Sequence, residues 1–310
     1  MDNLTHSLIG AALGQAGLKR RTGLAMPALI IGANLPDVDA GCFLWLEGTE
    51  HLGFRRGITH GPPAMVLLPL ILAALLWWFD RWQAARGTRP EGRLSVSFKW
   101  LYLVSLIGTL SHPLFDWFNN YGIRLLEPFS STWFYGDVLF IIDLWVWIGL
   151  VCALWLGRRR ERAGRGDWHG PARAALAGLA AYIMLNLGIS GFAADRVRMD
   201  APYPVKVVAN PVPLAFWRRE VLWQTDSRYG TVSWSLFGDR ARAGPGKPLG
   251  MTDPRIREWA KGDSQAEAFL FWSRMLVAEP GPTGIVLKDQ RFMDVPTRDR
   301  FTVTLRPAGQ

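Results

Sequence analysis

Cysteine and histidine are scarce in this chain. Only two of its 310 residues are cysteines, Cys42 and Cys152, and neither belongs to a CxxC pair. This pattern excludes a disulfide framework and a cysteine-based zinc or redox motif. The chain has five histidines, so each one that lies in apolar sequence is informative.

Two further features are missing. The N-terminal sequence MDNLTHSLIG has no basic leader before its apolar run and no clear cleavage site, so we expect no removed signal peptide. The motif HExxH is also absent, which disfavours a zinc-dependent membrane protease. Insertion into a membrane would then depend on the transmembrane helices themselves.

Apolar residues, in contrast, are abundant but unevenly distributed. They make up 49% of the chain, with 16 tryptophans and 16 phenylalanines. The sequence is strongly apolar up to about Ala194 and resembles an ordinary soluble protein after it. We therefore predict a membrane-embedded helical domain with the metal site over residues 1–194, and a small β-rich domain over residues 195–310.

The net charge of +9 raises the question of a nucleic-acid partner. However, the basic residues near the apolar segments lie mainly between them, at 19–21, 81–99 and 158–165. The positive-inside rule predicts this placement for cytoplasmic loops. We therefore expect a membrane protein with no nucleic-acid partner.

Six apolar segments predict transmembrane or partly spanning helices, at 4–18, 23–35, 62–79, 100–118, 138–156 and 171–194. With the three basic segments in the cytoplasm, both termini lie outside it. The predicted fold is a membrane α-helical bundle of about six such helices, followed by a small β-rich α+β extracytoplasmic domain. Within that domain we predict strands in 203–213, 220–238 and 301–307, and helix in 253–278.

The candidate site begins with His112 and Asp116. They are four residues apart in an apolar segment, so on a helix they share one face, where a divalent cation could bind both. The pair alone also fits a simple hydrogen bond across one helical turn. Three further donors in apolar sequence, namely His6, Asp37 and His60, favour a metal site formed by separate segments.

The predicted topology places all five donors on the non-cytoplasmic side. Asp143 is a further candidate for the site, because a carboxylate within a spanning helix is costly and usually functional. Asp2, by contrast, is interpreted as the N-cap of the first helix.

Taken together, these motifs resemble the YdjM-type family of bacterial membrane-bound predicted metal-dependent hydrolases. That family's pattern has an N-terminal histidine, then LPDxD, HRGxTHS and HxxxDxxxxxG. The matching parts here are His6, LPDVD at 35–39, RRGITHG at 55–61 and HPLFDWFNNYG at 112–122. The resemblance covers about residues 1–145 and implies a membrane protein of bacteria. Together with the topology predicted above, this gives a multi-pass protein of the inner membrane with the C-terminal domain on the periplasmic or extracellular side.

The sequence departs from that pattern twice, with Arg55 in place of the first histidine and Gly61 in place of the closing serine. We predict that Arg55 and Arg56 bind an anionic group, as guanidinium forks do with phosphate. The order of the donors is also loosely similar to that of zinc-dependent bacterial phospholipase C, which hydrolyses phosphodiesters with a metal cluster.

These features favour a membrane-bound metal-dependent hydrolase acting on a phosphoester or ester of a lipid or lipid-linked substrate at the outer face of the membrane. One to three divalent ions, zinc or else manganese, would lower the pKa of a bound water. The predicted metal ligands are His6, Asp37, His60, His112 and Asp116; the predicted catalytic residues are Asp39 and Asp143, as orienting groups or general base, and Arg55 and Arg56, as phosphate-binding groups.

The alternative is a non-enzymatic membrane protein, with a transport or structural function, whose His/Asp cluster binds ions or protons. A transport path needs polar groups through the full depth of the membrane. The candidate donors instead crowd at one side, which favours the enzyme.

Overall fold

The computed structural model describes residues 1–201, 204, 206–238, 242–293 and 298–307. Contacts divide the chain into two compact units. The first, which we call the helical unit, comprises Met1–Val38 and Arg56–Leu185. The second, which we call the mixed unit, comprises Asp39–Arg55 and Asn186–Gln310. The predicted domain boundary between residues 194 and 195 stays a prediction.

The first seven α-helices, in chain order, are α1 (Asn3–Gln15), α2 (Ala25–Gly32), α3 (Glu50–Phe54), α4 (Pro62–Ala85), α5 (Phe98–Trp117), α6 (Leu144–Arg162) and α7 (Gly170–Asp200). The helical unit contains α1, α2, α4, α5, α6 and the first half of α7, and α3 belongs to the mixed unit. Short 3₁₀ segments lie at Leu18–Arg20, Leu35–Leu44 and Ile58–His60.

Carboxylates cap two of these helices. Asp2 accepts a hydrogen bond from the Thr5 N–H at 3.0 Å at the start of α1, which confirms its predicted role. Asp143 caps α6 by accepting from two backbone N–H groups of the first turn, at 3.0 and 3.2 Å. The expectation that Asp143 lies inside a helix that begins at residue 138 is therefore wrong, because α6 begins at Leu144.

Glycines let α1, α2 and α5 cross closely. A Cβ atom on Gly10 of α1 would lie 2.6 Å from the carbonyl oxygen of Leu29 in α2, and one on Gly108 of α5 would lie 2.7 Å from the same oxygen. Small residues at such crossings are typical of helix packing in membranes. The crossing brings His6 of α1 and His112 of α5 together, with ring centroids 3.9 Å apart.

Two helices, α4 and α7, are long and apolar enough to cross a membrane. α5 and α6 have 20 and 19 residues, which corresponds to about 30 Å. α1 and α2 have 13 and 8 residues, about 20 and 12 Å, and are shorter than a hydrocarbon core of ~30 Å. The described residues thus form a helical N-terminal part with two candidate spans.

The three basic segments gather at one end of the helical unit. Lys19 forms an ion pair with Glu161 at 2.5 Å, which joins the first segment to the third. The guanidinium of Arg21 lies 5.0 Å from the centroid of the Trp100 ring, which places the first basic segment beside the start of α5, where the second basic segment ends. Asp116 lies about 24 Å further along the α5 axis.

The mixed unit contains two antiparallel sheets and two further helices in its described part. The first sheet has the strand order β1 (Lys206–Pro211), β2 (Arg218–Gln224), β3 (Arg228–Ser235), β4 (Lys247–Pro248), and the second has β5 (Leu276–Gly281), β6 (Gly284–Asp289), β7 (Thr302–Leu305). The helices α8 (Arg255–Ala260) and α9 (Ser264–Trp272) lie between the sheets in sequence. Val221 of β2 pairs with Ala209 and Val232, and all three are buried in one apolar cluster.

This architecture confirms the β-rich C-terminal part. β1 lies in the predicted segment 203–213, of which residues 203 and 205 lie outside the described residues, and the other predicted strands correspond to β2, β3 and β7. The helix predicted at 253–278 is present as α8 and α9, but its end is wrong, because β5 begins at Leu276. The β5–β6 hairpin was not predicted, because the apolar run of β5 is short.

The mixed unit also includes a segment from early in the chain. In α3 and its N-terminal flank, Thr49 donates to the carbonyl of Gln265 at 2.8 Å, and Gly53 packs against Ala268 of α9. A Cβ atom on Gly53 would lie 3.1 Å from that of Ala268. Residues 39–55 therefore belong structurally with the C-terminal part of the chain.

Candidate metal centre

Four predicted ligands converge in the helical unit. They are Asp37 in the 3₁₀ segment after α2, His60 just before α4, and His112 and Asp116 near the end of α5. Each offers one ligand atom, and these atoms all lie within 4.8 Å of one another. His60, His112 and Asp116 are at most 1% exposed. Such a group of donors from separate segments is able to hold a metal ion.

The orientation of His112 fits a ligand. Its Nδ1 lies 2.7 Å from the carbonyl oxygen of Ala33, which can only accept, so Nδ1 carries the proton and Nε2 has the lone pair. That Nε2 makes no hydrogen bond within the described part of the chain. It lies 3.5 Å from Asp116 Oδ2 and 3.7 Å from Asp37 Oδ1. Histidine ligands are commonly fixed in this way by a carbonyl on the other ring nitrogen.

His60 is oriented by its neighbour. The Thr59 hydroxyl lies 2.9 Å from His60 Nδ1, and His60 Nε2 lies 3.8 Å from Asp116 Oδ2. Two ligands of one tetrahedral zinc ion, each at about 2.0–2.1 Å, are about 3.3 Å apart. Three of the observed separations, 3.5–3.8 Å, are close to this value, and all four ligand atoms lie within 4.8 Å of one another, so side-chain movements of about 1 Å would bring them to the spacing of zinc ligands.

His6 lies beside these four residues. Its ring stacks on His112, and its Nε2 is 3.3 Å from Asp116 Oδ1. The structure thus brings together all five predicted ligands, with His6 on the opposite oxygen of Asp116 from His60 and His112.

Arg56 pairs with Asp116, and its predicted contact with a phosphate stays a prediction. Its Nε lies 2.9 Å from Asp116 Oδ2, and its Nη2 donates to Asp116 Oδ1 at 3.2 Å. Its Nη1 donates to Asn119 Oδ1 at 3.1 Å and to the Gly122 carbonyl at 3.2 Å. The guanidinium therefore balances the buried charge of Asp116, which the amino group of Met1 also contacts.

The remaining predicted catalytic residues have partners of their own. Arg55 donates from Nε to Asp39 Oδ1 at 3.3 Å and lies over the Phe43 ring, all within the mixed unit. Asp143 caps α6 and accepts a hydrogen bond from the Tyr182 hydroxyl at 3.1 Å. The catalytic roles of Asp39, Asp143 and Arg55 stay predictions.

Several residues that shape the site were not predicted from the sequence. Thr59, the Ala33 carbonyl and Asn119 orient His60, His112 and Arg56, respectively. Thr59 lies inside a motif and could have been found there. The other two depend on tertiary contacts and left no local signal.

The helices and the His/Asp group define the class as a membrane protein that is able to bind a metal ion. The chain belongs to the YdjM inner membrane protein family, whose model matches residues 1–194. It is also similar to a Bacillus subtilis (strain 168) protein, the uncharacterised YfhP, with 28% identity over 162 residues. That match spans 50% of this chain and 45% of YfhP, so the chain covers about half the length of this curated relative. No solved structure matches. Neither match supports the looser similarity to phospholipase C, which stays a prediction.

Proposed function

We propose that this protein is a membrane-bound metal-dependent hydrolase that acts on an ester or phosphoester of a lipid or lipid-linked substrate. The observation that carries the proposal is the convergence of Asp37, His60, His112 and Asp116, whose ligand atoms lie within 4.8 Å of one another. Buried donors of both types, imidazole and carboxylate, suit zinc, with manganese as the second choice.

The residues of the chain divide into ligands and supporting groups. Asp37, His60, His112 and Asp116 would hold the first ion, and His6, on the other oxygen of Asp116, would extend the site to two or three ions. A divalent ion bound there supplies an activated water and stabilises anionic charge. Arg56 pairs with Asp116 and fixes its orientation, and Asp39, Asp143 and Arg55 remain candidates for proton transfer and phosphate binding.

The proposed topology has six transmembrane or partly spanning helices, with the C-terminal domain outside the cytoplasm. The gathering of the basic segments at one end of the helical unit and of the His/Asp cluster towards the other supports it. The cluster would then lie at the outer face of the inner membrane. A lipid is the proposed substrate, because a site at the end of apolar helices is reached more easily from the bilayer than from water.

Metal content is the first test. The full-length protein would be purified in detergent without chelators and its metals measured by mass spectrometry. We expect stoichiometric zinc or manganese in the wild type, and its loss in His60→Ala and in Asp116→Ala. His169→Ala is the matched control, because His169 lies at the basic end of the helical unit. Equal metal in all four proteins would overturn the assignment.

Turnover is the second test. The purified protein, with added Zn²⁺ or Mn²⁺, would be assayed for release of product from a panel of phospholipids. We expect hydrolysis that a chelator abolishes and that His112→Ala lacks. Undiminished turnover by His112→Ala would exclude this site as the catalytic centre.

One observation favours a structural function instead. His6, His60, His112 and Asp116 are at most 1% exposed, and Arg56 already pairs with the carboxylate, so the cluster could simply brace α1 and α5. A brace predicts a folded, metal-free protein without turnover. The metal measurement therefore separates the two functions.

A further inference from the structure

A cavity of about 390 Å³ lies at the basic end of the helical unit, and we call it the basic cavity. Its lining includes Arg20, Arg21, Trp168, His169 and Arg173. These residues come from the turn after α1, from the α6–α7 loop and from the first turn of α7. None of the residues that line it is acidic. The cavity therefore offers positive charge at the point where several apolar helices end.

Two of its guanidinium groups are available to a ligand. In the part of the chain that the structure describes, the side chains of Arg20 and Arg21 form no hydrogen bond or ion pair, and their guanidinium groups lie 4.8 and 5.0 Å from the ring centroids of Trp168 and Trp100, respectively. Arg173 donates only to the Ala16 carbonyl, at 2.9 Å. All three can thus bind an anion without breaking an existing ion pair.

The neighbouring charges are already paired. Lys19 binds Glu161 at 2.5 Å, and Arg160 binds Asp167 at 2.6 Å, and neither carboxylate lines the cavity, although Glu161 also interacts electrostatically with Arg20. His169 adds a polar group, because its buried Nδ1 has no hydrogen-bond partner among the described residues. The cavity therefore combines an excess of positive charge along its lining with an unsatisfied ring nitrogen.

The position of the cavity suggests where the anion comes from. α7, a candidate membrane span, begins at Gly170 directly after the cavity residues, and its N-terminus favours negative charge. Trp168 is 5% exposed beneath the cations, and tryptophans at the ends of apolar helices are typical of the membrane interface. Basic pockets between such helices are suited to anionic lipid headgroups.

We propose that the basic cavity binds the phosphate of an anionic phospholipid headgroup, separately from the His/Asp cluster. Arg20, Arg21 and Arg173 would contact the phosphate oxygens, and Trp168 would pack beneath them. The site is independent of the proposed hydrolase function, because it lies at the other end of α1 from His6.

Native mass spectrometry of the full-length protein in neutral detergent tests this. Tetraoleoyl cardiolipin and dioleoyl phosphatidylcholine are added separately, and the lipid-bound fractions are compared. We expect preferential binding of cardiolipin, and weakening by about tenfold or more in R20Q/R21Q, since a hydrogen bond between a guanidinium and a phosphate contributes about tenfold or more. The matched control is R158Q/R165Q, which removes two exposed arginines that do not line the cavity, and it should lose less than about threefold.

Three results would overturn the proposal. Equal binding of phosphatidylcholine would show that the headgroup charge is not recognised. An equal loss in R158Q/R165Q would show diffuse attraction and no defined site. Displacement of cardiolipin by excess inorganic phosphate would assign the cavity to a free anion. The thermal unfolding midpoint of each variant checks folding, and R173Q alone provides a second variant should R20Q/R21Q be unstable.

Discussion

Arg56 balances a carboxylate that has no access to water. Asp116 is 0% exposed, and Arg56 contacts both of its oxygens, at 2.9 and 3.2 Å. Removing one partner of a buried ion pair leaves an uncompensated charge, which typically costs about 3–5 kcal/mol. We therefore expect Arg56→Gln to lower the thermal unfolding midpoint in detergent strongly, and Arg56→Lys to lower it less, because lysine keeps the charge but not the two-point geometry.

The control for this prediction is Arg81→Gln. Arg81 lies on α4 and contacts the Trp77 ring at 5.1 Å, with no carboxylate partner in the described part of the chain. Its replacement should leave the midpoint nearly unchanged. An Arg56→Gln variant as stable as Arg81→Gln would show that another group neutralises Asp116.

Gly61 packs directly against the backbone of Glu127, which explains why this chain lacks the serine of the family pattern at position 61. A Cβ atom on Gly61 would lie 1.8 Å from the carbonyl oxygen of Glu127, although its φ of −83° is ordinary. We expect Gly61→Ser to displace this backbone and with it His60, at a cost of about 1–3 kcal/mol. The thermal unfolding midpoint and the amount of bound metal are measured, and both should be lower than in the wild type. Gly149→Ala, which meets nothing within 4 Å, is the control that should retain both.

At the residue scale, the motifs predicted which side chains converge better than they predicted the groups that orient them. Helical spacing alone put His112 and Asp116 on one face, and the structure has them 3.5 Å apart. No local pattern indicates that Arg56 pairs with Asp116, since this requires a left-handed backbone at Arg56, with φ 56°, and contacts from the loop after α5.

At the scale of elements, α6 depends on its cap. Asp143 accepts from the backbone N–H groups of Trp145 and Val146 and from the Tyr182 hydroxyl. We expect Asp143→Ala to lower the free energy of unfolding by about 1 kcal/mol, and Asp143→Asn to recover most of it, because asparagine also caps helices. Loss of turnover in a stable Asp143→Asn variant would instead indicate proton transfer by this carboxylate.

The end of β6 carries a buried ion pair. Asp289 binds the Arg291 guanidinium at 2.8 and 2.9 Å and accepts from the Ser273 hydroxyl at 2.5 Å. Burial alone would raise the pKa of Asp289, but Arg291 and these hydrogen bonds outweigh it and hold the pKa below its usual range. The unfolded chain therefore binds a proton at Asp289 more readily than the folded protein does, and acid favours unfolding.

This pair predicts how stability depends on pH. Its contribution is full above the ordinary carboxyl pKa of about 4 and is lost as the pH falls through the lowered pKa of the folded state. We expect Asp289→Asn to cost about 3–5 kcal/mol at neutral pH, with the gap to wild type narrowing towards about pH 3. Chemical denaturation at a series of pH values measures this. A pH-independent gap would contradict it, and exposed Asp226→Asn is the control.

Elements were predictable where their pattern was long. Long apolar runs predicted the helices α4, α5 and α7, and alternating apolar residues bounded by turn signals predicted the strands β2 and β3. The start of α6 could not be predicted from hydrophobicity, because residues 138–143 are as apolar as the helix itself. They precede the helix, and the last of them, Asp143, is its N-cap. Local pattern also gave no sign that α3 packs on α9, a contact between residues more than 200 positions apart.

At the scale of the whole molecule, charge distribution is the organising feature. The basic segments occupy one end of the helical unit, and the His/Asp cluster lies towards the other. Counting charges in the sequence predicted this separation, because the positive-inside rule acts on loops whatever the helices contain. Helix ends were less predictable, since α1 ends at Gln15 and α2 covers only Ala25–Gly32, although their apolar segments extend to residues 18 and 35.

The orientation of the chain can be tested with single cysteine substitutions. In spheroplasts of a bacterial host, a membrane-impermeant maleimide should label Ser131→Cys, in the loop after α5, and Ser227→Cys, in the β2–β3 turn. It should not label Arg165→Cys, at the basic end, until the membrane is lysed. The wild type, with Cys42 and Cys152, gives the background. All three substituted positions are exposed in the structure, so a lack of labelling reports the membrane barrier. Labelling of Arg165→Cys alone in intact spheroplasts would invert the topology and move the His/Asp cluster to the cytoplasmic face.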